Sequence, residues 1–233
     1  MADLSSFPIT QRWPAQNPDI IQLYSFPTPN GLKVSIALEE LGLPYEAQRV
    51  TISDADVKSP EFLSLNPNNK IPAIIDPNGP DGAAFGLFES GAILIYLGEK
   101  TGKLLGANPR QKHETIQWIM FQMGGLGPMF GQTNFFLKYA GKAIEDPRPG
   151  ERYLSESKRL LQVLEKALEG RDWITGDYSM ADIAICPWLA SMRNNYEPEI
   201  LDINALPNVS AYIDRFRARP AVQRAQNVPP REA

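Results

Sequence analysis

The chain has 233 residues, of which 43% are apolar and 21% charged, and a formal net charge of -4 at pH 7. That is the profile of a soluble globular protein with room for one large domain or two small ones. The negative balance argues against an electrostatic nucleic-acid binder, no apolar run approaches the roughly 20 residues of a membrane span, and one cysteine leaves no intramolecular disulfide and suits a reducing cytoplasm.

In chain order, residues 1–18 carry Pro8, Pro14 and Pro18 and lack a basic start followed by an apolar core, so they read as an extended arm and not as a secretory signal. A first domain is expected over 19–104. Its run IIQLYS has the composition of a short buried strand, and GLKVSIALEELGL spaces Val34, Ala37, Leu38 and Leu41 as a helix with Gly42 as its stop. YEAQRVTI predicts a second strand, and short links make strand, helix, strand a right-handed parallel unit. A helical turn over Pro60 to Leu65 follows, then PAIID and AAFGLF as strands joined through PNGPDG, then a helix from ESGAILIYL to Gly102. This order fits a thioredoxin-like α/β domain. Past the link at Gly106 to Pro109, strand signals vanish and 109–233 reads as an all-helical domain, with Leu154, Leu160, Leu161, Leu164 and Leu168 on one helical face.

Candidate chemistry gathers in three loops of the first domain. SFPTPNG leads from strand to helix, and a helix start offers unpaired N–H groups and partial positive charge. FESG begins another helix, where Glu89 and Ser90 suit the ammonium and carboxylate of an amino acid, unless they simply cap the helix. In NNKIPAI a cis bond before Pro72 would turn the Ile71 backbone toward an extended peptide, with Lys70 available to a second carboxylate; an ordinary trans proline at a strand edge is the alternative. A short peptide with an amino-acid head, a backbone middle and a terminal carboxylate satisfies all three loops, and glutathione is such a peptide. The single histidine, His113, sits among polar neighbours as an exposed helical residue, so a His-assisted nucleophile or His-rich metal site is not expected.

From about Ile20 to Val222 the chain resembles the cytosolic glutathione transferases: NKIPAI and FESGAILIYL look like their glutathione-binding loop and helix start. YSMADI looks like their capping box, with Ser179 and Asp182 exchanging hydrogen bonds in a folding role. SFPTPNGLKV, GGLGPMFGQ and ERY resemble the nu class, typified by bacterial glutathione-dependent disulfide-bond oxidoreductases and related to the yeast nitrogen-regulator transferase domain. The resemblance implies the glutathione transferase fold, a homodimer, and one or two glutathiones, or oxidised glutathione, per site, with no metal. It implies that the usual Tyr, Ser or Cys at the thiol is absent and that Thr28 and Asn30 contact sulfur. Binding falls to Asn30, Lys70, Ile71, Pro72, Glu89 and Ser90, with Arg152 reaching the partner subunit's ligand, and Val57 stands where the family has a Gln contact.

A protein nucleophile is then unnecessary, because the substrate brings a thiol whose thiolate is favoured by helix N-termini and hydrogen-bond donors. Two glutathiones suggest disulfide exchange. Conjugation of glutathione to electrophiles and a non-catalytic, glutathione-binding regulatory dimer are the other readings. Cys186, in IAICPWL, reads as buried core. Gly124, Gly125, Gly127 and Pro128 predict a kink in the first long helix or an interhelical packing notch. Beyond them, Gln132 and Asn134 are candidate polar contacts, and Phe135 and Phe136 a candidate apolar wall, for a substrate.

Overall fold

The computed structural model describes residues 3–196 and 198–231. They separate into two compact units, Met1–Lys103 with Arg219–Ala233, and Leu104–Ala218.

The first unit is built on a mixed sheet of β1 (Ile21–Ser25), β2 (Tyr45–Arg49), β3 (Ala73–Asp76) and β4 (Phe85–Phe88), in the order β2-β1-β3-β4. Its helices are α1 (Ile9–Arg12), α2 (Pro29–Leu41), α3 (Asp54–Val57), α4 (Pro60–Leu65) and α5 (Ser90–Thr101). β1 and β2 pair in parallel across α2, and β3 runs antiparallel to both β1 and β4. β1 and β3 are buried along their whole length, including the polar Gln22, Ser25 and Asp76. α2 and α5 pack against each other, and each ends on a left-handed glycine, Gly42 and Gly102, whose amides bond back into the helix.

Register places the loops. Ala73 lies opposite Tyr24 on one side and Phe88 on the other. The end of β1, the start of β3 and the end of β4 therefore share one edge of the sheet. The turn into α2, the loop before β3 and the start of α5 emerge there side by side.

The arm is not extended as its prolines suggested. Pro8 leads into α1, and Leu4 and Ile9 are buried in a cluster with Tyr24, Val50, Val57, Phe62 and Leu65. Trp13 meets Tyr24 and Phe62 edge-on at 6.5 and 6.4 Å, and the Gln16 and Asn17 amides donate to the Glu46 carboxylate. Burying one such apolar side chain contributes about 1.5–3 kcal/mol, enough to hold a short arm against the sheet.

The second unit comprises α6 (Pro109–Phe121), a π turn (Gln122–Leu126), α7 (Gly127–Lys138), a 3-10 turn (Ala140–Ala143), α8 (Arg148–Ala167), α9 (Met180–Asn195), α10 (Pro198–Leu201) and α11 (Pro207–Arg217). Leu160, Leu161, Leu164 and Leu168 are buried as their spacing predicted, while Leu154 is half-buried; Ile183, Leu189 and Ile213 are buried too. The glycine-rich stretch forms the π turn. A Cβ at Gly127 would lie 2.5 Å from the Gln122 side chain, whereas Gly124 has nothing within 4 Å and Gly125 meets only Leu160 at 3.7 Å. The close approach is thus confined to Gly127 and is made within the turn, not across a notch between helices.

The chain then returns to the first unit. α12 (Pro220–Ala225) packs on α2, and Arg219 and Arg224 pair with Glu40 and Glu39, each at 2.6 Å. The sequence pattern runs 109–233 together as helical; the contacts made by Ala221, Val222 and Ala225 depend on α2, nearly two hundred residues earlier, which local periodicity does not reveal.

Candidate functional site

Thr28 is the N-cap of α2. Its Oγ1 accepts from the Gly31 amide at 3.2 Å, and Pro29 occupies the first helical turn. A hydroxyl that accepts this bond still has a proton to donate. Gly31 is required: a Cβ there would sit 1.9 Å from the Phe26 carbonyl oxygen. Asn30 follows Thr28 by two residues on the same half-buried helix start. Behind the turn, Arg231 donates to the Pro27 carbonyl at 2.8 Å, Arg49 donates to the Arg231 carbonyl at 2.7 Å, and both guanidiniums lie over the Phe26 ring. The C-terminal tail thereby fixes the backbone just before Thr28.

The neighbouring hydroxyls are sealed. Tyr24 is fully buried and its OH has no hydrogen-bond partner among the described residues; burial first, and then the Glu46 charge, push its pKa up. Ser25 is fully buried and donates to the Phe26 carbonyl at 3.4 Å.

The second loop is held by Asn66, whose side chain donates to the Lys70 carbonyl and accepts from the Asn68 amide at 2.9 Å. Lys70 is exposed, and the Ile71–Pro72 bond is cis. The β3 ladder begins at Ala73, so the Ile71 backbone lies before it.

The third element is the start of α5. Glu89 is exposed and has φ 70, a left-handed value that a glutamate adopts at a cost of about 1–3 kcal/mol and that tends to mark functional positions. Ser90, 3% exposed, is the first helical residue. Among the described residues the N-cap Glu89 makes no side-chain cap hydrogen bond, so simple capping does not account for the glutamate. Asn68 reaches Glu89 at 3.4 Å, tying the second loop to the third.

Two participants escaped the sequence reading. Asn68 is one. The other is Lys33, fully buried one turn into α2, whose Nζ donates to Ser90 Oγ at 3.3 Å. Burial pushes its pKa down to about 7, and the Glu89 carboxylate opposes the fall. The signal available in sequence was the i, i+3 spacing from Asn30, which puts both residues on one side of the helix.

Other expected residues lie elsewhere. Val57 is buried in the cluster beneath the arm, where it serves packing. Arg152 stands exposed in the first turns of α8, in the second unit, with Glu156 at 3.8 Å. Asn134 does not present its amide to a substrate: it is turned into the helical core, donating to Met192 Sδ at 3.5 Å. Gln132 and Phe135 are exposed, and Phe136 stacks on Tyr153 at 5.4 Å. Cys186 is fully buried, and burial pushes its thiol pKa well up. His113 is exposed. Among the described residues, no group of acidic, His or Cys side chains could hold a metal, and no helix is long and apolar enough to cross a membrane.

Two family models match: the glutathione S-transferase N-terminal domain over residues 20–99 and the C-terminal domain over 147–220. The chain is 45% identical over 208 residues to the disulfide-bond oxidoreductase YfcG of Escherichia coli, covering 88% of this chain and 94% of that protein. The chain belongs to the glutathione S-transferase family. A glutathione transferase of Burkholderia graminis, crystallised with two glutathione molecules per subunit, superposes with a TM-score of 0.96 at 60% identity, covering 99% of this chain and 97% of that one. One from Pseudomonas putida, with one glutathione disulfide per subunit, gives 0.94 at 55% identity over 97% and 99%. Within this glutathione S-transferase, Tyr24 and Ser25 are buried and Thr28 is the N-cap of α2.

Proposed function

We propose that this protein is a glutathione-dependent disulfide-bond reductase that uses no nucleophile of its own. The observation that carries the reading is the contrast at one helix start: Tyr24 and Ser25 are buried, while Thr28 caps α2 with a hydroxyl still able to donate; the sole cysteine, in α9, is buried as well.

In this reading the amino-acid head of glutathione takes the start of α5, with its carboxylate on Ser90 and its ammonium on Glu89. The middle of the peptide pairs with the Ile71 backbone beside Pro72, the far carboxylate meets Lys70, and the sulfur meets Thr28 and Asn30. A hydrogen bond to a charged acceptor contributes about 1.5–3 kcal/mol, and each 1.36 kcal/mol moves a pKa by one unit. The free thiol begins near 8.5, so these donors and the α2 dipole make it largely thiolate at neutral pH. The thiolate attacks one sulfur of a substrate disulfide and expels the other as a thiolate, giving a mixed disulfide. A second glutathione thiolate resolves it, so that two glutathiones become glutathione disulfide and the substrate becomes two thiols. Relatives crystallised with two glutathiones or with glutathione disulfide support this stoichiometry. We extend the reading to a cytoplasmic homodimer in which the exposed Arg152 reaches the partner subunit's glutathione.

The test compares reduction of a small dialkyl disulfide, coupled to glutathione reductase, with conjugation of a chlorinated nitroaromatic. Disulfide turnover should dominate. Thr28→Ala and Asn30→Ala should each lower it about 10- to 100-fold, and Thr28→Ser should retain most of it. Dominant conjugation would make the protein a detoxifying transferase; silence in both assays with glutathione bound would favour a regulatory dimer.

A further inference from the structure

Resting on the glutathione reading of the α2 start, we propose that Arg231 is a positioning residue for the thiol chemistry: by holding the Pro27 carbonyl it sets where the Thr28 hydroxyl stands, and so how readily bound glutathione ionises. Thr28 lies between two prolines, Pro27 and Pro29. Its helical side is held by the helix itself. Oγ1 accepts from the Gly31 amide at 3.2 Å, and the Thr28 carbonyl accepts from the Leu32 amide at 2.9 Å. On the other side, the Thr28 amide donates to the Phe26 carbonyl at 2.7 Å and closes a three-residue turn around Pro27. Pro27 has no N–H, so its carbonyl is the one main-chain group by which a hydrogen bond can hold it. Arg231, 204 residues further along the chain, donates to that carbonyl at 2.8 Å.

The arginine is fixed in its turn. Arg49, the last residue of β2, donates from Nε and Nη2 to the Arg231 carbonyl at 3.0 and 2.7 Å. The Arg49 and Arg231 guanidiniums lie 5.6 and 5.8 Å from the centre of the Phe26 ring, a contact that suits their flat, charged faces. Trp13 of the arm donates to the Arg49 carbonyl at 3.1 Å. Arm, β2 and tail thus converge on the residue before Thr28. A contact misplaced by about 1 Å costs up to about a hundredfold in rate. The anchor on Pro27 therefore has a chemical consequence, although it acts only through Thr28.

The test separates position from charge. The thiolate of bound glutathione is followed by its ultraviolet absorbance through a pH titration. Affinity is measured by calorimetry with S-methylglutathione, which has no thiol to ionise. Arg231→Ala should raise the midpoint of thiolate formation by about one pH unit. Disulfide turnover should fall about tenfold at neutral pH and recover as the pH rises past the new midpoint. Affinity for S-methylglutathione should stay within about twofold of wild type, because Lys70, Ile71 and Glu89 stand on other loops. Arg231 is exposed, so the substitution leaves the core intact. Arg49→Ala, which releases the Arg231 carbonyl, should move the midpoint the same way by less. On a Thr28→Ala background, adding Arg231→Ala should change the midpoint by less than about 0.3. A guanidinium acting directly on the sulfur would instead give the full rise there, and that result overturns the proposal. So does an unchanged midpoint in Arg231→Ala alone, or a fall in S-methylglutathione affinity as large as the fall in turnover; each leaves the glutathione reading in place. No binding of S-methylglutathione by the wild-type protein, or a wild-type midpoint that Thr28→Ala does not alter, removes the glutathione reading of this helix start and the proposal with it.

Discussion

The starts of α5 and α9 carry nearly the same chemistry, a serine and an acid, and use it in opposite ways. At α9 the box is closed. Ser179 accepts from the helix, Asp182 accepts from the Ser179 amide at 2.7 Å, and the other Asp182 oxygen takes the Ile174 amide at 3.0 Å and the Tyr212 hydroxyl at 2.6 Å. Every group points inward, and the product is stability. At α5 the N-cap Glu89 makes no side-chain cap hydrogen bond and sits exposed at positive φ, and Ser90 is held from behind by Lys33. A serine at a helix start is thus informative only through its partners. α2 lies between the two: Thr28 caps with its oxygen, and the hydroxyl that accepts this bond still has a proton to donate.

The largest effect should come from opening the closed box. Asp182→Ala strands several buried donors and should cost about 3–5 kcal/mol, read by denaturant unfolding, while the affinity of the molecules that remain folded for S-methylglutathione is unchanged. A fall in affinity with little loss of stability would erase the distinction between the two helix starts. Ser90→Ala should shift the loss toward binding. The loss of stability should be smaller, about 1–3 kcal/mol, from the hydrogen bond that the buried Lys33 Nζ donates to Ser90, and glutathione binding should weaken about tenfold by calorimetry. A large drop in melting temperature would show that α5 depends on Ser90 as α9 does on Ser179.

Much of this was legible in sequence for a physical reason: the informative interactions are local. Strand-forming composition and turn residues located β1 and β3; helical spacing and the terminal glycines, Gly42 and Gly102, located α2 and α5; and Ser179 with Asp182 carried their box within four residues. The three loops were readable one by one, and the sheet register explains why they meet. What was not legible is non-local. Leu4 and Ile9 lie between prolines, and their burial depends on Phe62 and Tyr24. The tail from Arg219 to Arg231 returns to α2 and to the turn before Thr28. Lys33 reads as one polar position in an amphipathic helix, but α2 is buried almost all round from Gly31 to Leu38 and leaves no solvent face at that turn.

The central claim is that the chemistry runs on the substrate's thiol and not on a thiol of the protein. Cys186 is the only cysteine, so Cys186→Ala is a cysteine-free enzyme at a stability cost of about 1 kcal/mol. Its disulfide reduction with glutathione, coupled to glutathione reductase, is the direct measurement. Turnover within about twofold of wild type, lost again on adding Thr28→Ala, is the predicted result. Loss of turnover in a folded Cys186→Ala protein that still binds glutathione would contradict the account.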